Sequence, residues 1–338
     1  MLCLLLLTTD YWLLTCPPTA WNKKYLYGPT RYRPLMELLL GMLALGLAYA
    51  FLSMGVFITM RIFNFPDITA DGSLVLGAAI TAAMLTAGAN IYVTLAAAMA
   101  GGFLAGSLTG TIHTKLKVNG LLAGILVMTA LYSVNLRIMD RSNVPLINER
   151  TILTPLAEAG LFESRQGVPI LLFLLLAVAV VVGLWWLFRT DFGLAMRATG
   201  DNSTMVAAQG VNTDRMKIVG IGISNALIAL SGSLVAQYQG FADIGMGIGV
   251  VVFGLASVII GDTIDTMFGE RFIIWRRLSL AVVGSIVFRG VVAGTLTLGL
   301  DPADLKLVTA FFVLLAIVLP QSRRFLKLQT GFQTTPRP

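Results

Sequence analysis

The sequence predicts an all-α, polytopic membrane bundle of about eight to ten transmembrane helices, at least one of them broken or re-entrant. Three observations carry this. The 338 residues are 57% hydrophobic and only 12% charged, with a mean hydropathy of +0.83, whereas roughly a quarter of a soluble domain is charged. The apolar residues fall in uncharged runs long enough to cross a hydrocarbon core of about 30 Å. The basic residues behind the net charge of +7 and the pI near 9.6 flank those runs instead of forming a stripe. They therefore read as topology signals in a lipid bilayer and not as a nucleic-acid surface.

The first 35 residues stand apart. An apolar stretch, MLCLLLLTTDYWLLTC, is followed by Pro17-Pro18 and then by Lys23, Lys24, Arg31 and Arg33, the reverse of a secretory leader's order. It reads as an over-long start or a poorly ordered extension, ahead of one membrane domain over residues 36–320 and a cytoplasmic tail over 321–338. Cys3 and Cys16 are the only cysteines, without CxxC or Cys/His spacing, and no metal site is expected.

Nine runs are candidate spans: Leu38 to Met60, Gly72 to Ala89, Ile91 to Ile112, Val118 to Leu136, Pro169 to Phe188, Ile218 to Gln237, Ile244 to Gly261, Leu278 to Leu300 and Leu305 to Pro320. Backbone polar groups in lipid must be satisfied within each segment, so these are helices. Gly102, Gly106 and Gly110 place a small face on the third, for close helix packing. Between the first two runs, Asn64 to Gly72 (NFPDITADG) carries a proline and two acids that cannot face lipid. A faint repeat points to the same place: Ala50 to Ile68 aligns without gaps on Ala226 to Ile244, both ending in Phe-x-Asp-Ile. Interrupted helices at matching positions of two halves are a pointer to a transport path.

The longest polar passage between two apolar runs is Arg189 to Lys217. Arg189, Arg197, Arg215 and Lys217 assign it to the cytoplasmic side. Asn202 to Gln209 reads as one or two helical turns, Gly210 as their left-handed terminator, and Asn212-Thr213-Asp214 as the start of the next helix. A short helix lying across a membrane loop suits docking into a partner's groove. Arg271, Arg276 and Arg277, then Arg323, Arg324 and Lys327, fall on the same side two and four spans later. The first half is less consistent: five spans precede the loop, which puts the chain's start outside although Lys23 to Arg33 prefers the inside. Either the leader is irrelevant or one of the five is re-entrant.

Polar residues inside the runs are candidates for a translocation path. Arg289 lies mid-span, where a charge costs at least about 2.5 kcal/mol, so it faces protein or water. An interhelical pair, for example with Asp262, or a clamp on a helix end competes with a role in gating. Asn119, Asn135, Asn225 and Gln237 read as helix-to-helix hydrogen bonds or as solute ligands. Asn64 sits in the break, and Asp67 and Asp71 could hold a cation or cap the helix that begins near Gly72. No P-loop, GxSxG, HExxH or paired carboxylates occur, and His113 alone makes no catalytic site. The chain is thus expected to bind no cofactor and not to be an enzyme.

Several of these segments resemble one family. Arg197-Ala198-Thr199-Gly200-Asp201-Asn202, then Ala207-Ala208-Gln209-Gly210-Val211-Asn212, with Lys217 and Ala229-Leu230-Ser231-Gly232-Ser233-Leu234, are similar to the cytoplasmic coupling loop and following helix of permeases of branched-chain amino acid-type ABC importers. Asn64 to Gly72 resembles the Asn-Phe-x-x-Gly region after their first helix, and Lys115-Leu116-Lys117 a segment of the related sugar permeases. Leu121 to Arg137 and Asp304-Leu305-Lys306-Leu307 look most like the tryptophan/tyrosine transport subgroup. The resemblance implies a pore-forming subunit in a bacterial inner membrane, working as a dimer, most simply a homodimer. ATP-binding-cassette subunits would bind inside and hold the ATP, and a solute-binding protein would deliver an amino acid or similar solute outside. It also implies that Arg197, Gly200, Asp201, Asn202, Met205, Ala207, Ala208, Gln209 and Gly210 couple the chain to the ATPase. The competing function is a self-contained secondary transporter, which would need a buried mid-span acid.

Overall fold

The structure is a computed structural model that describes residues 33–147, 149–155, 167–267, 274–297 and 307–314. The expected leader up to residue 32, the tail, Arg271, and the cluster at Arg323, Arg324 and Lys327 lie outside them. The contacts divide the chain into two units, Met1–Leu38 and Leu39–Pro338. Of the first, the described part is the opening of helix α1; everything below concerns the second.

Helix α1 (Arg33–Phe57) runs into a π-helical turn, Ile58–Ile62. After the break come α2 (Thr69–Thr86), α3 (Ile91–Lys115), α4 (Gly120–Met139), strand β1 (Asn143–Pro145) and α5 (Gly167–Leu187). Two short helices, α6 (Asp191–Asp201) and α7 (Ser203–Ala208), lead to α8 (Thr213–Gln239), strand β2 (Phe241–Asp243), α9 (Val250–Met267) and α10 (Ile274–Thr297). Residues 307–314 are also helical. The strands pair antiparallel, Val144 opposite Ala242, an element the apolar patterning gave no hint of.

Helix α8 is the axis of the packing, buried along most of its length. The small face of α3 lies on it: a Cβ on Gly102 would stand 2.3 Å from the Asn225 carbonyl, one on Gly106 2.4 Å from that of Ile221, and one on Gly110 2.8 Å from the Ile218 Cα. Gly77 of α2 meets the Ala229 carbonyl at 1.9 Å by the same construction, and Gly232 that of Leu74. Backbones approach this closely only where side chains are missing. The outer faces of α3 and α4 stay apolar and exposed, with Leu104, Leu108, Leu121 and Leu122 among them, as lipid contact requires.

Among the described residues seven helices are long and apolar enough to cross a membrane, against nine expected runs. Ile244 to Gly261 is the main correction. Its first residues are turns rich in glycine, with Gly249 at φ +82°, and α9 begins only at Val250 and carries Asp262 and Asp265. The last expected span falls mostly outside the described residues. The expected break at Asn64 to Gly72 is shorter than its composition suggested: α2 starts at Thr69, because Gly72 is buried and the half-buried Asp71 is held by backbone amides at the start of α9.

The faint repeat has a physical counterpart. Extended by a few residues, it sets Ala48 on Ser224 and Gly55 on Ser231. The Ser224 hydroxyl donates to the Gly55 carbonyl (2.7 Å) and the Ser231 hydroxyl to the Ala48 carbonyl (2.8 Å), so the two residue pairs exchange under the alignment, with the serine of α8 donating in each. Asp71 falls on Gly247, whose Cβ would stand 2.2 Å from the Asp71 carbonyl. Both Phe-x-Asp-Ile motifs close the same turn, Asp67 accepting from the Thr69 amide and Asp243 from that of Gly245. Helices α1 and α8 thus run in opposite directions about an approximate two-fold axis.

Candidate functional site

The polar passage folds as two short helices lying across one end of the bundle. Thr190 caps α6 by accepting from the Gly193 amide, and α6 buries Gly193, Met196 and Thr199, three positions three residues apart on one face. Leu194, Ala198 and Asp201 point away, and Arg197 is half-buried. Asn202 is extended (φ −151°, ψ 90°), and its side chain accepts from the Met205 amide at 3.0 Å, ending one helix and starting the next. In α7 only Val206 is buried; Thr204, Met205, Ala207 and Ala208 are exposed, Met205 to 59%. Gln209 follows, and Gly210 at φ +86° makes the left-handed turn read from the sequence. Asn212 caps α8, accepting from the Arg215 amide.

Gly200 links this platform to the interrupted helix. A Cβ there would stand 1.5 Å from the Ile62 carbonyl oxygen, so α6 lies directly on the π-turn. Two helix turns into α8, Gly220 is pressed against the Phe63 ring. Lys115 at the end of α3 pairs with Asp214 of α8 (2.8 Å). Arg61 of the π-turn pairs with Asp262 of α9, and Arg276 and Arg277 of α10 pair with Asp265. The sequence reading missed this ion-pair set. Its signals were a lone arginine closing an apolar run and two acids three apart on a helix.

The path candidates separate by position. Asp67 is buried, accepting from the Thr69 amide (2.9 Å) and from Asn225 Nδ2 (2.7 Å), and Thr69 meets Thr109. Asn135 donates to the Gly72 carbonyl, while Gln237 accepts from the Ile152 amide and donates to Ser233. Asn119, expected inside a run, is an exposed cap of α4 accepting from Leu121, because the helix begins after it. Asp71 does not cap its own helix: it accepts from the amides of Gly249 (3.0 Å) and Val251 (2.8 Å) at the start of α9. The carboxylate suits the positive end of that helix. Arg289 is not the partner of Asp262, which Arg61 occupies; its guanidinium lies over the Tyr49 ring, 5.0 Å from the centroid. Asn64, at φ 49°, lies on the rim of a cavity beside the break.

Residues 38–318 match the family described as the permease component of branched-chain amino acid transport systems. The chain belongs to that family. It is the permease subunit of an ABC importer for small solutes, a multi-pass plasma-membrane protein. Membership implies that it works with ATP-binding subunits and a binding protein. A tyrosine transport system permease protein of Clostridioides difficile is 39% identical over 279 residues, 82% of this permease and 90% of that one. An uncharacterized protein of Rickettsia prowazekii is 32% identical over 83% of this chain and 97% of its own. The galactofuranose transporter permease protein of Escherichia coli is 28% identical, covering 79% and 75%. Among solved structures, PsaBC from Streptococcus pneumoniae in complex with Fab shares the fold, with a TM-score of 0.51 and 11% identity over 90% of this chain and 99% of that one.

Proposed function

We propose that two copies of this permease form a path for an amino acid of the tyrosine type, driven by ATP-binding subunits docked on α6 and α7. The observation that carries the coupling is the Gly200 contact with the Ile62 carbonyl. A partner that seats on exposed Met205, Ala207 and Ala208 and moves would displace α6, and no side chain cushions α6 from the π-turn. The work would then arrive where α1 and α2 are interrupted. On this reading the face bearing α6 and α7 is cytoplasmic. It gathers Arg61, Lys115, Lys117, Arg189, Arg215 and Lys217, whereas Arg137, Arg141 and Arg150 lie toward the other end. The permease holds no nucleotide and performs no chemistry; ATP stays on the partner. The solute class rests on the likeness to the tyrosine permease.

The test is assembly and transport. Gly210→Pro, or a combined change of Asn202, Met205 and Ala208, should leave the permease in the membrane but abolish co-purification of the ATP-binding subunit and ATP-driven uptake of labelled L-tyrosine. Retained co-purification and uptake would remove the docking assignment. Assembly and ATP turnover without tyrosine uptake, while another solute is taken up, would remove only the solute.

A further inference from the structure

Between the break, α3, the start of α4 and α8 lies a cavity of about 220 Å³. It is separate from the exposed edge of α7. Its walls are of two kinds: Phe63, Phe65 and Pro66 supply apolar surface, and Asn64, His113 and Lys217 supply polar groups. The space is on the order of that taken by one small organic molecule such as an amino acid.

The polar groups leave a cationic end without an acid. Lys217 is half-buried and makes no ion pair among the described residues; the acid one turn earlier, Asp214, is held by Lys115. His113 Nδ1 lies 2.9 Å from the Val118 carbonyl oxygen. A carbonyl only accepts, so Nδ1 carries the hydrogen, and Nε2 is the nitrogen able to take a proton and offer a second N–H to an anion. The edge of the Phe65 ring packs on the imidazole, centroids 5.0 Å apart. Asn64 holds φ 49°, in the left-handed region that asparagine adopts more readily than most side chains, which sets its place on the cavity rim.

We propose that this cavity binds a small amphipathic carboxylate, its apolar body against Phe63, Phe65 and Pro66 and its carboxylate on Lys217 and His113. Such a ligand bridges the break to α3 and α8 beside the Gly200 contact, so filling the cavity stiffens the joint through which α6 acts. That the ligand is the imported amino acid itself, reaching the site after its passage, rests on the solute reading above; the cavity's preference for a carboxylate does not.

The complex of the permease with its ATP-binding subunits, in nanodiscs of phosphatidylcholine and without the binding protein, is dialysed against radiolabelled L-tyrosine. Saturable binding is expected, displaced by unlabelled L-tyrosine and not by tyramine, which lacks the carboxylate, nor by inorganic phosphate. Lys217→Met should weaken it about tenfold or more, as loss of one charge-assisted contact does. His113→Gln should weaken it less, and Lys217→Arg should restore it. Absence of saturable binding, equal affinity in Lys217→Met, displacement by phosphate, or displacement on adding phosphatidylglycerol to the nanodisc overturns the assignment. If Lys217→Met does not assemble, the wild-type complex decides: its melting temperature must rise with L-tyrosine and not with tyramine. Tyrosine uptake by the complete importer without binding here refutes the cavity alone, and binding without uptake refutes the solute alone.

Discussion

Replacing Gly200 by alanine asks a methyl group to share space with the Ile62 carbonyl oxygen. Overpacking of this kind costs about 1–3 kcal/mol or forces the backbone apart. Gly200→Ala should therefore lower the thermal melting point of the permease in detergent and reduce ATP turnover per assembled complex, whereas Ala198→Gln on the exposed face, where a good helix former replaces another, should change the melting point little. Arg289 makes a second residue-scale case. If the Tyr49 ring carries its charge, a double-mutant cycle of Arg289→Gln and Tyr49→Leu should return a coupling of about 0.5–2 kcal/mol, and Tyr49→Phe should retain most of it. Additive losses would mean that the ring is a bystander. The need for Arg289 to find a protein environment was legible because a mid-span charge has few alternatives. Its neighbour was not: Asp262 looked available until the fold brought Arg61 from another helix onto it.

Elements were legible where one physical rule acts alone. Uncharged runs and the glycine stripe of α3 lead directly to helices and to a close packing face. The caps at Asn202 and Asn212 with the turn at Gly210 delimit α7 and the start of α8. Legibility ended where an element leans on a distant partner. Asp71 sits in the first turn of α2 and reads as that helix's own cap, yet its carboxylate holds the first amides of α9. This also explains why Ile244 to Gly261 is not one helix: its amino-terminal part turns on glycines until Asp71 supplies an acceptor. Asp71→Ala should leave both amides without that acceptor, at about 1–3 kcal/mol for each that stays dry. Asp71→Asn keeps one acceptor and should lose less. The check is hydrogen exchange of residues 249–253 in the purified permease, which should accelerate in the alanine variant with α2 unaffected; equal protection in both would show that α9 starts without help.

For the whole molecule the question is direction. Charge counting put five spans before the polar loop at Arg189 to Lys217 and left open whether one was re-entrant. The contacts answer for the helices: the Ile62 end of α1 meets α6, Lys115 at the end of α3 meets the start of α8, and β1 after α4 meets β2 after α8 at the other end. Helices α1 to α5 alternate, and none of the five turns back. The interruption lies instead at Asn64 to Ile68 and, in the inverted half, at Ile244 to Gly249 ahead of α9. The Phe-x-Asp-Ile repeat marked both, because each half needs a carboxylate to close the turn where its helix stops. If α6 and α7 face the cytoplasm, the exposed residue Ile147 next to β1 must face outward. With Cys3 and Cys16 replaced by serine, a cysteine at position 208 should react with an impermeant maleimide only after cells are opened, and one at position 147 in intact cells. The reverse pattern would turn the molecule over and place α7 out of reach of any ATP-binding subunit. Labelling of both positions from outside would mean that the two ends do not lie on opposite faces of the bilayer.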